Sequence, residues 1–397
     1  MITLGIETSC DETALSLIET RGSYAAGDFE VRVIASLIHS QAELHSAYGG
    51  VFPMLAKREH GKNMTPLLEQ ILKSTTARGT LKDEEFGSVI ESLRAEMESK
   101  DPDLFGALEA AEFLKNIPNI GQIAVTEGPG LEPTLWVGIN AARILGKLWC
   151  VPVIPVNHME GHVVASLLGS DTSNGQWQKL KELPLPSIAL LISGGHTELI
   201  KLNKLGDYEC IGQTKDDAVG EAFDKVARLL SLPYPGGPHI SKLSYEAMQE
   251  GITPTVKLPR PMIASKDHNF SFSGLKTAVL YAVREELERT GTEQLPDASK
   301  KGIALEFERA VTETLETKLQ GAIESTGAQS VIIGGGVSAN RMLRESFKKI
   351  GEEYSIPVYL PSTHTSGDNA LMIALAGALH GKGVDRPLKA EGTKRLA

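Results

Sequence analysis

His158 and His162, in the run Asn157-His158-Met159-Glu160-Gly161-His162, are four residues apart. On a helix both imidazoles leave the same face one turn apart, a spacing that suits a shared metal ion. A third ligand is needed, and Asp368, in the polar turn 363–369, is a candidate carboxylate. These residues also have plainer uses. Asn157 can cap a helix with Glu160 closing a capping box, and Asp368 can cap the last apolar helix. The pair is not the metalloprotease arrangement, because Met159 stands where that signature requires Glu.

A second kind of chemistry is written in the turn Ser193-Gly194-Gly195-His196-Thr197, between the apolar runs 190–192 and 198–200. Paired glycines let consecutive N–H groups converge on one anion, and the Ser193 and Thr197 hydroxyls can add donors, so the turn reads as a phosphate site. An ordinary Gly-Gly hairpin is the plainer reading. The pattern occurs twice, since residues 2–18 are again an apolar strand, a polar turn (Glu7-Thr8-Ser9-Cys10-Asp11-Glu12-Thr13) and an apolar strand. A strand-turn-strand in each half of the chain predicts two related lobes. Cys10 in the first turn is a possible nucleophile or a small buried residue.

Two further stretches carry polar groups at suggestive positions. Glu221 and Asp224 lie at i and i+3 with Lys225 four after Glu221, which predicts a surface salt bridge or, near a nucleotide, carboxylates for ribose hydroxyls. Residues 334–340 read as strand end, glycine turn and helix start, where Asn340 can hydrogen-bond a base or phosphate.

The elements that must position these groups alternate between strand and helix. Strands are expected at 31–36, 120–126, 151–156 and 331–333, and helices at 54–72, 136–149, 158–168, 218–230 and 274–289, with more after Asn340 and Asp368. That alternation predicts an α/β fold with mixed sheets. From 73 to 116 ten acidic residues face six basic ones, and the stretch reads as an exposed helical insertion. A polar linker is expected over 169–186, and 389–397 reads as a loose tail.

At 397 residues two domains are expected. Hydrophobic content of 41% and charged content of 23% are those of a globular protein, no apolar run is long enough to span a bilayer, and no leader is evident. A cytoplasmic protein is the expectation. Cys10, Cys150 and Cys210 fit neither a disulfide framework nor a zinc ribbon, so reduced thiols are expected. A net charge of −10 argues against coating nucleic acid unaided.

Together the motifs at 7–13, 49–60, 126–130, 157–162, 193–197, 216–225, 234–238, 271–277, 334–340 and 368 resemble, in order, those of the bacterial TsaD type of tRNA N6-adenosine threonylcarbamoyltransferases. The resemblance implies the two-lobed actin, sugar-kinase and heat-shock ATPase fold, ribonuclease H-like, with duplicated mixed sheets and flanking helices. It implies a first lobe over 1–156 closed by a C-terminal helix near 369–385, and a second over 157–368 with the metal and adenylate sites. The implied reaction moves threonylcarbamoyl from threonylcarbamoyl-AMP to N6 of the adenosine beside the anticodon in tRNAs reading codons that begin with A. His158, His162 and Asp368 would hold one divalent ion, iron or zinc by donor set, with magnesium also open. Leu191, Ile192, Ser193, Gly194, Gly195, His196, Asp224, Gly237 and Asn340 would contact the adenylate. Asp11 and Glu12 are the candidate catalytic carboxylates. The inactive paralogue TsaB, the ATPase TsaE and a second copy of the chain are the expected protein partners, with no membrane.

Departures from the family pattern are the 73–116 insertion, which follows the helix implied to dock TsaB, and the branch-specific Leu191, where archaeal and eukaryotic relatives carry Tyr. The competing reading is an ATP-dependent kinase or ATPase of the same fold. The histidine pair speaks against it, since phosphotransfer there uses carboxylate-bound magnesium. Lys276 and Arg284 are exposed-cation candidates for tRNA contact.

Overall fold

The computed structural model describes residues 1–169, 175–380 and 386–397. The chain forms two compact units, Met1–Glu182 with Asp368–Leu396, and Leu183–Gly367. The division falls after Glu182, not after 156. The reason is local: the strand Val153–Asn157 runs straight into the helix His158–Ala165, which is buried along its whole length and leaves Gly161 facing Met372 and Ile373 of the first unit. The histidine helix therefore belongs to the first unit. Residues 170–174 of the expected linker, and 381–385 at the end of the expected last helix, lie outside the described residues.

In the first unit the strands are β1 (Ile2–Glu7), β2 (Glu12–Arg21), β3 (Glu30–Ser40), β4 (Ala77–Thr80), β5 (Asn116–Pro118), β6 (Gln122–Gly128), β7 (Val153–Asn157) and β8 (Gln178–Lys179). The main sheet has the order β7-β6-β1-β2-β3-β8, with β1, β2 and β3 antiparallel and β1, β6 and β7 parallel. β4 and β5 form a separate ribbon. The apolar helix Ala370–His380 packs on β1 so closely that a Cβ on Gly5 would lie 2.3 Å from the Ala370 carbonyl oxygen. Glycine is required there by the close approach.

The second unit holds β9 (Ser187–Ile192), β10 (Thr197–Lys204), β11 (Asp207–Gln213), β12 (Ser330–Gly334) and β13 (Val358–Tyr359). Their order is β11-β10-β9-β12-β13, with β9, β10 and β11 antiparallel and β9, β12 and β13 parallel. Leaving aside the edge strand β8, each sheet runs third, second, first, fourth, fifth in its own chain order. The expected duplication of mixed sheets is present in the connectivity itself.

Two expectations about particular stretches are corrected. The 73–116 stretch is not merely exposed: Phe86, Ile90, Leu93 and Met97, spaced as one helical face, join Leu104, Phe105, Leu108 and Trp149 in the first unit's core. Arg143 ties its helix Asp83–Lys100 to the core by a two-pronged pair with Glu96 at 2.9 and 2.8 Å. The 389–397 tail is not loose, as its contacts below show. Within the glycine-proline run 234–238 the helix Gly236–Gln249 starts, since proline is tolerated in a first turn.

The 30-residue helix Asp297–Thr326 was not foreseen. It buries Ile303, Phe307, Val311 and Leu315 but also Glu306, Glu308 and Lys318, and those charges blur the apolar period. Among the described residues no helix is long and apolar enough to cross a membrane.

Candidate functional site

Asn157 Oδ1 accepts the Met159 and Glu160 N–H groups at 2.9 and 3.4 Å and so caps the helix that carries the two histidines. Glu160 directs its carboxylate to His380 Nε2, 2.7 Å away. The cap of the last helix is Asn369, whose Oδ1 accepts the Met372 N–H at 3.0 Å, and this leaves the neighbouring Asp368 carboxylate for the imidazoles. Asp368 Oδ1 stands 3.4 Å from His158 Nε2 and 3.3 Å from His162 Nε2. The three donor atoms lie within 4.8 Å of one another.

The set fits a metal ion. Two ligands on a four-coordinate ion at about 2.1 Å stand about 3.4 Å apart, which matches the two Asp368–imidazole distances, while the whole set lies within 4.8 Å. His162 Nε2 is buried and makes no hydrogen bond, a costly state for a ring nitrogen unless it has a ligand to bind. His158 has the complementary outer shell, with Nδ1 at 3.1 Å from Glu7 Oε2 and 3.2 Å from Ser9 Oγ. Glu7 is held in turn by Thr126 Oγ1 at 2.6 Å and the Ser9 N–H at 2.5 Å.

Electrostatics say the same. Burial alone would lower the pKa of His158, but the Asp368 and Glu7 carboxylates on either side raise it well above the ordinary value. Burial would raise Glu7 and Asp368, yet His158 holds both below their usual range, with His162 adding to the effect on Asp368. His162 is lowered, chiefly by burial. The cluster thus provides a place for positive charge between two carboxylates, filled by a proton or by a cation.

The turn after β1 adds Asp11 and Glu12. Burial pushes the Glu12 carboxyl well above the usual range, and the Asp11 and Asp368 charges push it further. Burial and Asp11 likewise push the Cys10 thiol up, which speaks against a nucleophilic role. None of the three cysteines forms a disulfide among the described residues. Sequence reasoning missed Glu7 and His60. His60 is fully buried, with Nδ1 2.7 Å from Thr13 Oγ1 and Nε2 3.0 Å from the Cys10 carbonyl oxygen, so it ties down both ends of the turn. Its place in the 49–60 motif was the available signal.

In the second unit the β9–β10 turn is built differently from expectation. Thr197 is buried and its hydroxyl accepts the Val219 N–H at 2.8 Å, while Ser193 Oγ accepts the His196 N–H at 3.1 Å. Both hydroxyls thus accept bonds that hold the turn. Leu191 and Ile192 are fully buried, so their side chains are unavailable to a ligand. Gly194 and Gly195 are exposed, with nothing within 4 Å of where a Cβ would be. The glycines that the turn requires are its neighbours: Gly335, at φ 90°, would place a Cβ 2.3 Å from the Ile192 carbonyl oxygen, and Gly220 would place one 2.6 Å from that of Ser193.

Glu221 takes the expected salt bridge to Lys225 at 2.8 Å, whereas Asp224 Oδ1 accepts the Gly236 N–H at 2.7 Å. Gly237, next to it, has open space where a Cβ would be. Asn340 caps the helix Arg341–Tyr354 through the Leu343 N–H at 3.0 Å and donates to Glu308 Oε1 at 2.5 Å. Glu308 lines a depression with Ser241, Tyr245 and Arg341, whose guanidinium lies 4.5 Å over the Tyr245 ring. Lys276 and Arg284 are exposed.

A family model described as TsaD, tRNA N6-adenosine threonylcarbamoyltransferase, matches residues 32–80 and 107–375. The chain belongs to this family. The unmatched residues 81–106 fall inside the expected insertion. A tRNA N6-adenosine threonylcarbamoyltransferase from Methylobacillus flagellatus is 39% identical over 379 residues, covering 96% of this chain and 92% of its own. One from Neisseria gonorrhoeae is 37% identical over 396 residues, covering 96% and 95%. Among solved structures, (R)-2-hydroxyglutaryl-CoA dehydratase component A from Acidaminococcus fermentans aligns at 12% identity and TM-score 0.42, covering 96% of this chain and 100% of that one. In this transferase the kinase reading is not favoured.

Proposed function

We propose that this transferase takes threonylcarbamoyl from threonylcarbamoyl-AMP and places it on N6 of the adenosine beside the anticodon, in tRNAs reading codons that begin with A. The observation that carries the reading is the convergence of His158, His162 and Asp368 in a chain of this family. A divalent ion held there, iron or zinc by donor set and magnesium less well matched, supplies positive charge to a phosphate or carbonyl oxygen.

The protein's own groups supply the rest. The open backbone at Gly194 and Gly195 lets N–H groups approach the phosphate, with Ser193 and His196 fixing the turn. Asp224 and Gly237 take the ribose side, and Asn340 the base side beside Glu308. N6 attacks the carbamoyl carbon, a C–N bond forms, the C–O bond to phosphate breaks, and AMP leaves with the electron pair. Asp11 takes the proton that N6 loses, with Glu12, whose pKa is raised by burial and by the Asp11 and Asp368 charges, beside it in the turn.

The net charge of −10 supports reliance on protein partners for tRNA. Tyr48, Phe52 and Met54, 63%, 58% and 61% exposed at the start of the helix Pro53–Leu72, support docking of an apolar partner such as TsaB; TsaE and a second copy are the other candidates. A tRNA substrate supports a cytoplasmic setting. Incubation with threonylcarbamoyl-AMP and such a tRNA, with and without partners, followed by nucleoside analysis, should yield N6-threonylcarbamoyladenosine. No modified adenosine under any combination overturns the reading.

A further inference from the structure

Glu127 is completely buried, and among the described residues the hydrogen-bond partners of its carboxylate come from one short stretch near the C-terminus. Arg386 pairs with both oxygens at 2.6 and 2.7 Å, Lys394 adds a second cation, and the Lys389 N–H donates at 3.2 Å. The backbone follows the same path. The Glu391 N–H donates to the Glu127 carbonyl at 2.9 Å and the Gly130 N–H to the Gly392 carbonyl at 3.1 Å. A Cβ on Gly128 would sit 2.0 Å from the Glu391 oxygen, so the two segments touch backbone to backbone. Leu388 and Ala390 pack on the first unit's core.

Two lines lead from this contact to the metal ligands. Asn157 Nδ2 donates to the Arg395 carbonyl at 3.0 Å, which fixes the amide whose oxygen caps the histidine helix. Thr126, next to Glu127 on β6, holds Glu7, and Glu7 holds His158. Gly130 is packed against Ser9, whose hydroxyl meets the same imidazole.

We propose that residues 386–395 are a positioning strap for the metal centre, anchored by Glu127 and orienting His158 and His162 through Asn157 and Glu7. This rests on the metal-centre reading above. Outer-shell partners of metal ligands typically change affinity about 10- to 100-fold, and the strap acts at that remove.

The test is titration of the full chain with cobalt(II), read by visible absorption, which reports affinity and coordination geometry without any activity assay. Arg386→Ala/Lys394→Ala should bind about tenfold more weakly with an altered spectrum. Because that variant leaves a buried carboxylate unpaired, Glu127→Gln is the second arm: it removes the buried charge and leaves the two cations, whose side chains are 43% and 22% exposed, to water, and it should weaken binding to a similar degree. Combining all three substitutions should add little, since they release one element. Lys62→Ala/Lys73→Ala, removing two exposed cations from the same unit, should match wild type. Wild-type affinity and spectrum in both the double variant and Glu127→Gln overturn the strap. Absence of cobalt binding by the wild type overturns the metal centre itself and the strap with it.

Discussion

The two sheets share one connectivity, but the turns they carry have opposite characters. The turn after β1 is buried and charged: Glu7, Asp11 and Glu12 sit on it, His60 ties it down, and Glu7 reaches His158. The turn after β9 is open and uncharged, its two hydroxyls accept bonds from its own and the neighbouring backbone, and its two central glycines face nothing in their own unit. A duplicated scaffold has thus been specialised by burial. One copy surrounds charge with low-dielectric protein, where a cation gains most, and the other leaves backbone donors accessible.

That contrast is testable, and the largest effect belongs to the charged copy. Asp368→Ala should abolish stoichiometric metal binding and reduce transfer by a factor on the order of a thousand, measured by metal analysis and nucleoside analysis. Retained metal at wild-type stoichiometry breaks the assignment. Glu7→Gln should leave the ligands in place but weaken metal binding about 10- to 100-fold, seen by competition with a chelator.

The next pair separates structural from functional glycines in the open copy. Gly335→Ala forces a side chain into positive φ against the Ile192 carbonyl and should destabilise by about 1–3 kcal/mol, read by denaturant unfolding. Gly194→Ala should change stability by less than about 0.5 kcal/mol while weakening adenylate binding, read by calorimetry. If Gly194→Ala unfolds the protein instead, the open turn is not what it is described to be.

The smallest effect is a pH dependence in the second unit. Burial raises the Glu308 pKa above 4.5, although the Ser244, Asn340 and Ser241 contacts oppose it. A carboxyl raised in the folded state contributes stability that is full below pH 4.5 and is lost as pH rises through the folded value. Glu308→Gln should therefore gain thermal stability relative to wild type as pH rises from 4.5 towards 8. A difference in melting temperature that stays flat across that range removes the effect.

Reading the chain alone went furthest where chemistry is local. Helical spacing put His158 and His162 on one face, the repeated strand-turn-strand exposed the duplication, and an unusual composition marked the insertion. It failed where a side chain answers to something distant in sequence. Nothing near Glu7 says that its partner is 151 residues away, and nothing near Glu127 says that its counter-ions lie 259 and 267 residues on. Asp368 and Asn369 are equally good caps on paper, and only packing chose Asn369 for the cap and freed Asp368 for the imidazoles.

What the sequence by itself determined is many of the elements, their doubling and the residue types able to bind a cation, because these follow from periodicity and from the donor atoms each side chain carries. The tertiary structure alone decided which carboxylates serve the metal ligands, which glycines are needed for space and where the C-terminal residues are held. Those outcomes depend on distances and burial between segments far apart along the chain, and no local pattern encodes them.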